Sequence, residues 1–88
     1  MEIIWDEEKN KLLKKTRGVC FEDVEKVLFA QQEIDFIENP THEGQAYYVV
    51  ELNNYIHLVP ALINEQGQIV LKTIFPSRKY NKICGGSK

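Results

Sequence analysis

The sequence predicts an α+β domain in which two N-terminal helices pack on one face of a four-stranded antiparallel sheet. Two observations lead to this prediction. Apolar residues in the first third of the chain recur at helical spacing, whereas from residue 34 onward short apolar segments alternate as strands do. Clusters of asparagine, glycine and proline separate these segments, which is typical of a meander. The 88 residues are enough for one hydrophobic core.

Both helices are predicted from their ends and their apolar positions. The first should cover about residues 7 to 16, because Asp6 offers a capping oxygen, acids fill the first turn and Gly18 is a natural stop. The second should end between residues 29 and 31. Its apolar residues recur at i, i+3, i+6 and i+7 and therefore share one face: Phe21, Val24, Val27 and Leu28.

The four strands are predicted over residues 34–38, 47–52, 55–59 and 69–75. Asn53 and Asn54 form the loop between the second and third strands, since asparagine tolerates the positive φ angles of a two-residue hairpin. Pro60 has no amide hydrogen, so it marks an edge, a bulge or a local break in the third strand.

The last strand leads into a basic segment without acids, KTIFPSRKYNK, at residues 72–82. Regular alternation predicts that Lys72 and Ile74 share one face of the sheet. Pro76 ends the ladder and restricts the backbone. We therefore expect a defined position at the end of this strand for the basic residues that follow, Arg78 and Lys79.

Charge is strongly segregated along the chain, although the net charge is only -2. Residues 9–17 and residues 72–88 each contain five basic residues and no acid, and the rest of the chain holds one lysine and all thirteen acids. The two segments therefore carry +10 and the remainder -12. This pattern predicts a positive surface for phosphate groups on an acidic body, although lysine-rich helix surfaces and chain ends are also common in other proteins.

Several kinds of site find no support in the sequence. His42 and His57 stand on different segments without metal-ligand spacing, and neither GxxxxGK[ST] nor GxGxxG occurs. No apolar run approaches the roughly 20 residues of a membrane span, and the first six residues lack the features of a signal peptide. We therefore expect a cytoplasmic protein that uses no metal and no cofactor and binds no membrane.

RNA cleavage by the 2′-hydroxyl is a reaction that suits a set of cations without a metal. The substrate supplies the nucleophile, so the protein needs a base, an acid and positive charge to stabilise the transition state. Arginine matches the phosphate with its planar fork, and lysine acts as a point charge or transfers protons when its pKa is lowered. The candidates by residue type are Arg78, Arg17, Lys14, Lys15 and Lys79.

Four segments, in chain order, carry a family resemblance: WDEEKN at 5–10, GVCFEDVEKVLF at 18–29, NPTHEG at 39–44 and VLKTIFPSRK at 70–79. They resemble the BrnT family of type II toxins over nearly the whole chain. The resemblance implies one RelE-like domain over residues 1–84, with a short C-terminal helix within about 77–83 or a tail, and a flexible segment at 85–88. It also implies a metal-independent endoribonuclease that arrests growth. A ribbon-helix-helix antitoxin would inhibit this toxin and would be its only link to operator DNA.

The resemblance also assigns roles to residues. Arg78 matches the arginine at the end of the family's last strand and would hold the scissile phosphate, with Lys79, Arg17 and Lys15 adding charge. Lys-His-Gly usually precedes the second helix in this family, whereas this chain has Arg17 at the place of the histidine. Proton transfer is then left to His42 or to a lysine.

Four further residues are candidates for the site, and one of them, Glu22, has two possible roles. Glu22 is either part of the catalytic site or a carboxylate that stabilises the start of the second helix. The basic residues of the helix and the C-terminal segment are candidates for RNA binding: Lys14, Lys72 and Lys82. Because the family's histidine is missing, the alternative function is a non-catalytic, toxin-like interaction module in a DNA-binding regulatory complex.

Overall fold

A computed structural model describes residues 2–38 and 44–79, which form two helices and one mixed sheet of six strands. The elements in chain order are β1 (Ile3–Trp5), α1 (Glu7–Arg17), α2 (Phe21–Phe29), β2 (Asp35–Glu38), β3 (Gln45–Leu52), β4 (Tyr55–Ile63), β5 (Ile69–Leu71) and β6 (Phe75–Pro76). The strand order is β1-β5-β4-β3-β2, and β6 also pairs with β4. The α+β class is confirmed, but the prediction of four antiparallel strands is wrong.

The first correction concerns β1, which the sequence analysis left outside the sheet. Ile3 is paired with Ile69 and Trp5 with Leu71, in a parallel arrangement at the edge of the sheet. A three-residue apolar segment carries no local sign of its partner, because that partner lies at the other end of the chain. The sheet is therefore mixed.

The second correction concerns the last predicted strand, which is split opposite Pro60. The Pro60 carbonyl accepts a hydrogen bond from the Lys72 amide at 2.9 Å, but the proline nitrogen has no hydrogen to donate. The strand ends at Leu71 and pairing with β4 resumes at Phe75. Within the interruption Ile74 is fully buried, whereas Lys72 is exposed. The prediction that Lys72 and Ile74 share a face is therefore wrong. β4 itself continues through Pro60, so the break considered for the third strand lies instead in the strand opposite.

One cluster of buried apolar side chains includes residues of the helices and residues from one face of the sheet, which we call the core face. Its members from the helices are Leu13, Phe21, Val24 and Leu28, and those from β3, β4 and β5 are Val50, Leu52, Val59, Ala61, Ile69 and Leu71. The other side of the sheet is called the opposite face below.

The local signals at the ends of the elements are confirmed. Asp6 Oδ1 accepts a hydrogen bond from the Glu8 amide at 2.9 Å, which caps α1. Gly18 ends this helix with a φ of 69°, and Asn53 and Asn54 have φ angles of 55° and 62° in the hairpin loop. No helix in residues 2–38 or 44–79 is long and apolar enough to cross a membrane.

Candidate functional site

The C-terminal end of α1 meets two distant parts of the chain. Asn53, in the loop between β3 and β4, donates from Nδ2 to the Gly18 carbonyl at 3.0 Å. Arg17 donates from Nη1 to the carbonyl of Ile74, in the interruption before β6. The last turn of the first basic segment is therefore bound directly to the beginning of the second one.

His57 lies on β4 beside this junction, with 7% of its surface exposed. Its Nδ1 is 2.9 Å from the carbonyl oxygen of Tyr55. A carbonyl oxygen only accepts hydrogen bonds, so Nδ1 carries the proton and Nε2 is the basic nitrogen of the neutral ring. The ring of Tyr55 meets the imidazole edge-on, with 5.7 Å between the ring centres.

Burial lowers the pKa of His57 below its ordinary value of 6.5, and the positive charge of Arg17 lowers it further. The hydrogen bond to the Tyr55 carbonyl acts in the other direction but does not reverse the shift. The imidazole is therefore neutral near pH 7. A neutral imidazole with its Nε2 unprotonated has the protonation state that a general base needs.

We expect the folding stability to fall as the pH drops through about 6.5, because the unfolded chain takes up a proton at its ordinary histidine pKa before folded His57 does. The destabilisation begins near 6.5 and stops growing once the pH is below the lowered pKa of the folded state. Urea unfolding at several pH values measures this effect. His57→Gln should remove most of the slope and His42→Gln should retain it. An equal slope in His57→Gln would contradict the assignment.

The end of β6 is anchored next to His57. In the register with β4, Pro76 lies opposite His57. The following amide, of Ser77, donates to the Ile56 carbonyl at 3.0 Å. Backbone hydrogen bonds therefore fix the chain as far as Ser77, the residue before Arg78 and Lys79.

Arg78 and Lys79 follow with helical backbone geometry and exposed side chains. Three residues lie between Arg78 and Ile74, whose carbonyl binds Arg17, so the Cα atoms of Arg78 and Ile74 are at most about 14 Å apart. Arg17 acts electrostatically on His57, and Arg78 follows two residues after Pro76, the pairing partner of His57. We call Arg17, His57 and Arg78 the basic junction.

Glu22 and Lys14 belong to a different network, which is centred on Asn10. Asn10 is fully buried, and its Nδ2 donates to Glu22 Oε1 at 2.8 Å. The other carboxylate oxygen of Glu22 is 3.6 Å from Lys14 Nζ. The hydrogen bond from Asn10 is the main cause of the lowered pKa of Glu22, and the charge of Lys14 contributes less. The contacts of Glu22 therefore fit the reading that this carboxylate stabilises the start of α2.

Asn10 connects the two helices by hydrogen bonds, a role that was not predicted from the sequence. Its Oδ1 accepts a hydrogen bond from the Phe21 amide at 2.7 Å. Cys20, at the N-cap of α2, makes no capping hydrogen bond with its side chain, so Asn10 caps this helix from the preceding one. The sequence contains one indication of this role. Asn10 stands three residues before buried Leu13, at a position where a helix that faces the core normally has an apolar residue.

The other predicted site residues lie close to Arg17 in the chain, on the opposite face of the sheet, or outside the described residues. Lys15 is exposed on α1. Lys72 lines a pocket of about 190 Å³ with Tyr47 and Pro60, which lie on the opposite face of the sheet. Lys72 is therefore not part of the basic junction. His42 and Lys82 are outside the described residues, as is the tail predicted at 85–88.

In the described part of the chain, no group of three or more His, Cys, Asp or Glu side chains is arranged to hold a metal ion. Comparisons with protein-family models, with curated proteins and with solved structures gave no match to this chain. Its function is therefore inferred from its own motifs and geometry.

Proposed function

We propose that this chain is the ribonuclease toxin of a type II toxin–antitoxin pair, that it acts in the cytoplasm, and that it cleaves RNA without a metal through the 2′-hydroxyl of the substrate. The observation that supports this proposal most is the contact of Arg17 with Ile74 beside the neutral ring of His57. It joins the two basic segments, which are far apart in the sequence, around a side chain that can accept a proton.

In this proposal Arg78 holds the scissile phosphate with its guanidinium group, which matches phosphate geometry. Lys79 and Lys15 add positive charge. Arg17 has five N–H donors and uses one nitrogen on the Ile74 carbonyl, so other donors remain for a phosphate oxygen. These charges would stabilise the transition state more than the ground state, because negative charge accumulates on the phosphate as the bond forms.

His57 takes the place of the missing family histidine as the proton acceptor. Its Nε2 would accept the proton of the 2′-hydroxyl while the 2′-oxygen forms a bond to phosphorus. The bond from phosphorus to the 5′-oxygen breaks, and the leaving oxygen takes a proton from the ammonium group of Lys79. The products are a 2′,3′-cyclic phosphate and a 5′-hydroxyl end.

The proposed partner is a ribbon-helix-helix antitoxin, which inhibits the toxin and alone contacts operator DNA. A short reading frame for such a protein immediately downstream would support the proposal for the type of system. It would leave the catalytic activity to be measured separately.

Incubation of the purified protein with RNA in EDTA tests the activity. We expect 2′,3′-cyclic phosphate ends, and we expect His57→Gln to slow the cleavage by about 10²-fold to 10⁴-fold, the usual contribution of a general base. His42→Gln tests the other histidine candidate: a loss of this size in His42→Gln and not in His57→Gln would assign the proton transfer to His42. Intact RNA across a range of substrates would instead support the non-catalytic interaction module.

A further inference from the structure

The strand β2 forms an edge of the sheet. It pairs only with β3 among the described residues, with Asp35 opposite Val49 and Glu38 opposite Ala46. The amide of Phe36 donates to Asp35 Oδ1 at 2.7 Å. The Phe36 amide is thus already satisfied, and an added strand would pair with the other backbone donors and acceptors of this edge.

Large apolar side chains are exposed on this edge strand and in the chain that leads to it. Phe29, Ile34 and Phe36 are 57%, 42% and 44% exposed, and all three lie within one short stretch of the chain. The ring of Phe36 lies 5.0 Å from that of Tyr48 on the neighbouring strand. A group of exposed apolar side chains beside an open strand is typical of a surface that binds another polypeptide.

The chain on both sides of this edge strand is acidic. Residues 27–71 contain six acids and neither lysine nor arginine. Three of these acids, Glu33, Asp35 and Glu38, lie on or beside β2. The side chains of Asp35 and Glu38 are exposed, so basic side chains of a partner can reach both carboxylates.

We infer that β2 is a docking edge for an extended segment of a partner protein in which basic residues flank apolar ones. The added strand would place its apolar residues beside Phe36 and Ile37 and its basic residues beside Asp35 and Glu38. Its backbone would pair with the outer side of β2, as in other complexes formed by strand addition.

The negative charges of this edge also disfavour two other binding partners. A second copy of this chain would place its own Glu33, Asp35 and Glu38 against the same three residues, and like charges on paired strands are destabilising. Nucleic acid would be repelled by the same acids. This inference does not depend on the proposed RNA cleavage, because Phe36 and its neighbours are not part of the basic junction.

A short synthetic peptide tests the inference directly. The sequence acetyl-Thr-Lys-Val-Val-Lys-Thr-amide is symmetric, so it places lysine beside Asp35 and Glu38 in either strand direction. In NMR titrations we expect a dissociation constant of about 1 mM or lower, with amide shifts confined to β2 and β3 and slower hydrogen exchange in β2.

The control peptide has the same side chains and charge but carries N-methyl groups on both valines, which prevents strand pairing. We expect its affinity to be lower by about 10-fold or more, and a peptide with glutamate in place of lysine should not bind. Equal binding of the N-methylated peptide, shifts centred elsewhere, or no binding at about 5 mM would each overturn the inference.

Two protein variants provide a matched comparison. Phe36 and Ile63 are both 44% exposed, but only Phe36 is on the proposed edge. Phe36→Lys should weaken peptide binding by about 10-fold or more, whereas Ile63→Lys should bind as the unchanged protein does. Amide spectra of both variants show whether they are folded. Phe36→Lys should cleave RNA at the normal rate. Peptide binding therefore tests the docking edge, and RNA cleavage tests the proposed function independently.

Discussion

Replacing Arg78 by alanine is expected to abolish the growth arrest that follows expression of the chain alone. The exposed guanidinium group is the proposed ligand of the scissile phosphate, and removal of one such donor from a transition state typically slows a reaction by about 10²-fold to 10³-fold. Growth after induction and the initial rate of RNA cleavage measure the effect. Thermal unfolding should change little, because Arg78 is exposed.

Two further variants separate the role of Arg78 from the effect of charge alone. Arg78→Lys keeps the positive charge but loses the planar fork, so we expect a rate between those of the alanine variant and the unchanged protein. Lys26→Ala removes an exposed lysine outside both basic segments and should leave the arrest intact. If a well-folded and equally expressed Arg78→Ala variant still arrests growth, the site assignment is wrong.

Replacing Asn10 by alanine is expected to cause a large loss of stability. The change leaves the amide of Phe21 without its buried acceptor and removes the donor to Glu22. An unsatisfied buried group costs about 1 to 3 kcal/mol, and in a domain of this size a loss of about 2 kcal/mol lowers the melting temperature by about 10 °C. Urea unfolding at neutral pH measures the change in the free energy of unfolding.

A double substitution tests whether the hydrogen bonds of Asn10 are the cause. Asn10→Asp keeps an acceptor for Phe21 but places a second carboxylate beside Glu22, so it should also destabilise the protein. Adding Glu22→Gln restores a donor and an acceptor in that pair, and we expect it to recover at least half of the loss. A loss below about 0.5 kcal/mol in Asn10→Ala would contradict the assigned role.

The helices and turns followed from the sequence because the interactions that form them are local. Asp6 caps α1 through an amide two residues away, Gly18 adopts the left-handed conformation at the end of this helix, and the two asparagines make the hairpin loop. Each of these signals depends only on neighbours within a few residues. The predicted bounds of α1 and α2 are therefore close to those observed.

The sheet could be predicted only in part, because its pairings join residues that are distant in the sequence. The parallel pairing of Ile3 with Ile69 has no local signature. Pro60 indicated a break, but not that the break would fall in the strand across from it and bury Ile74. The simplest prediction for residues 69–75 was one strand whose side chains alternate between the two faces. This prediction is wrong because Pro60, on β4, has no amide hydrogen to donate to that strand.

The candidate site, like the sheet, could be predicted from the sequence only in part. The two basic segments were visible in the sequence, but the contact between Arg17 and Ile74 depends on how α1 is packed against the chain before β6. His57 was read as one of two unrelated histidines, because no spacing links it to Arg17 or to Pro76. Its burial and the orientation of its ring are properties of the packed molecule.

By itself the sequence determined the helices, the turns, the basic segments and the acidic stretch between them, since these depend on residue type and short spacing. Only the tertiary structure decided the parallel edge strand, the split last strand, the capping of α2 by Asn10 and the meeting of Arg17 with the second basic segment. The physical reason is that hydrogen bonds and burial between distant residues depend on the packing of the whole chain, which no short window of sequence contains.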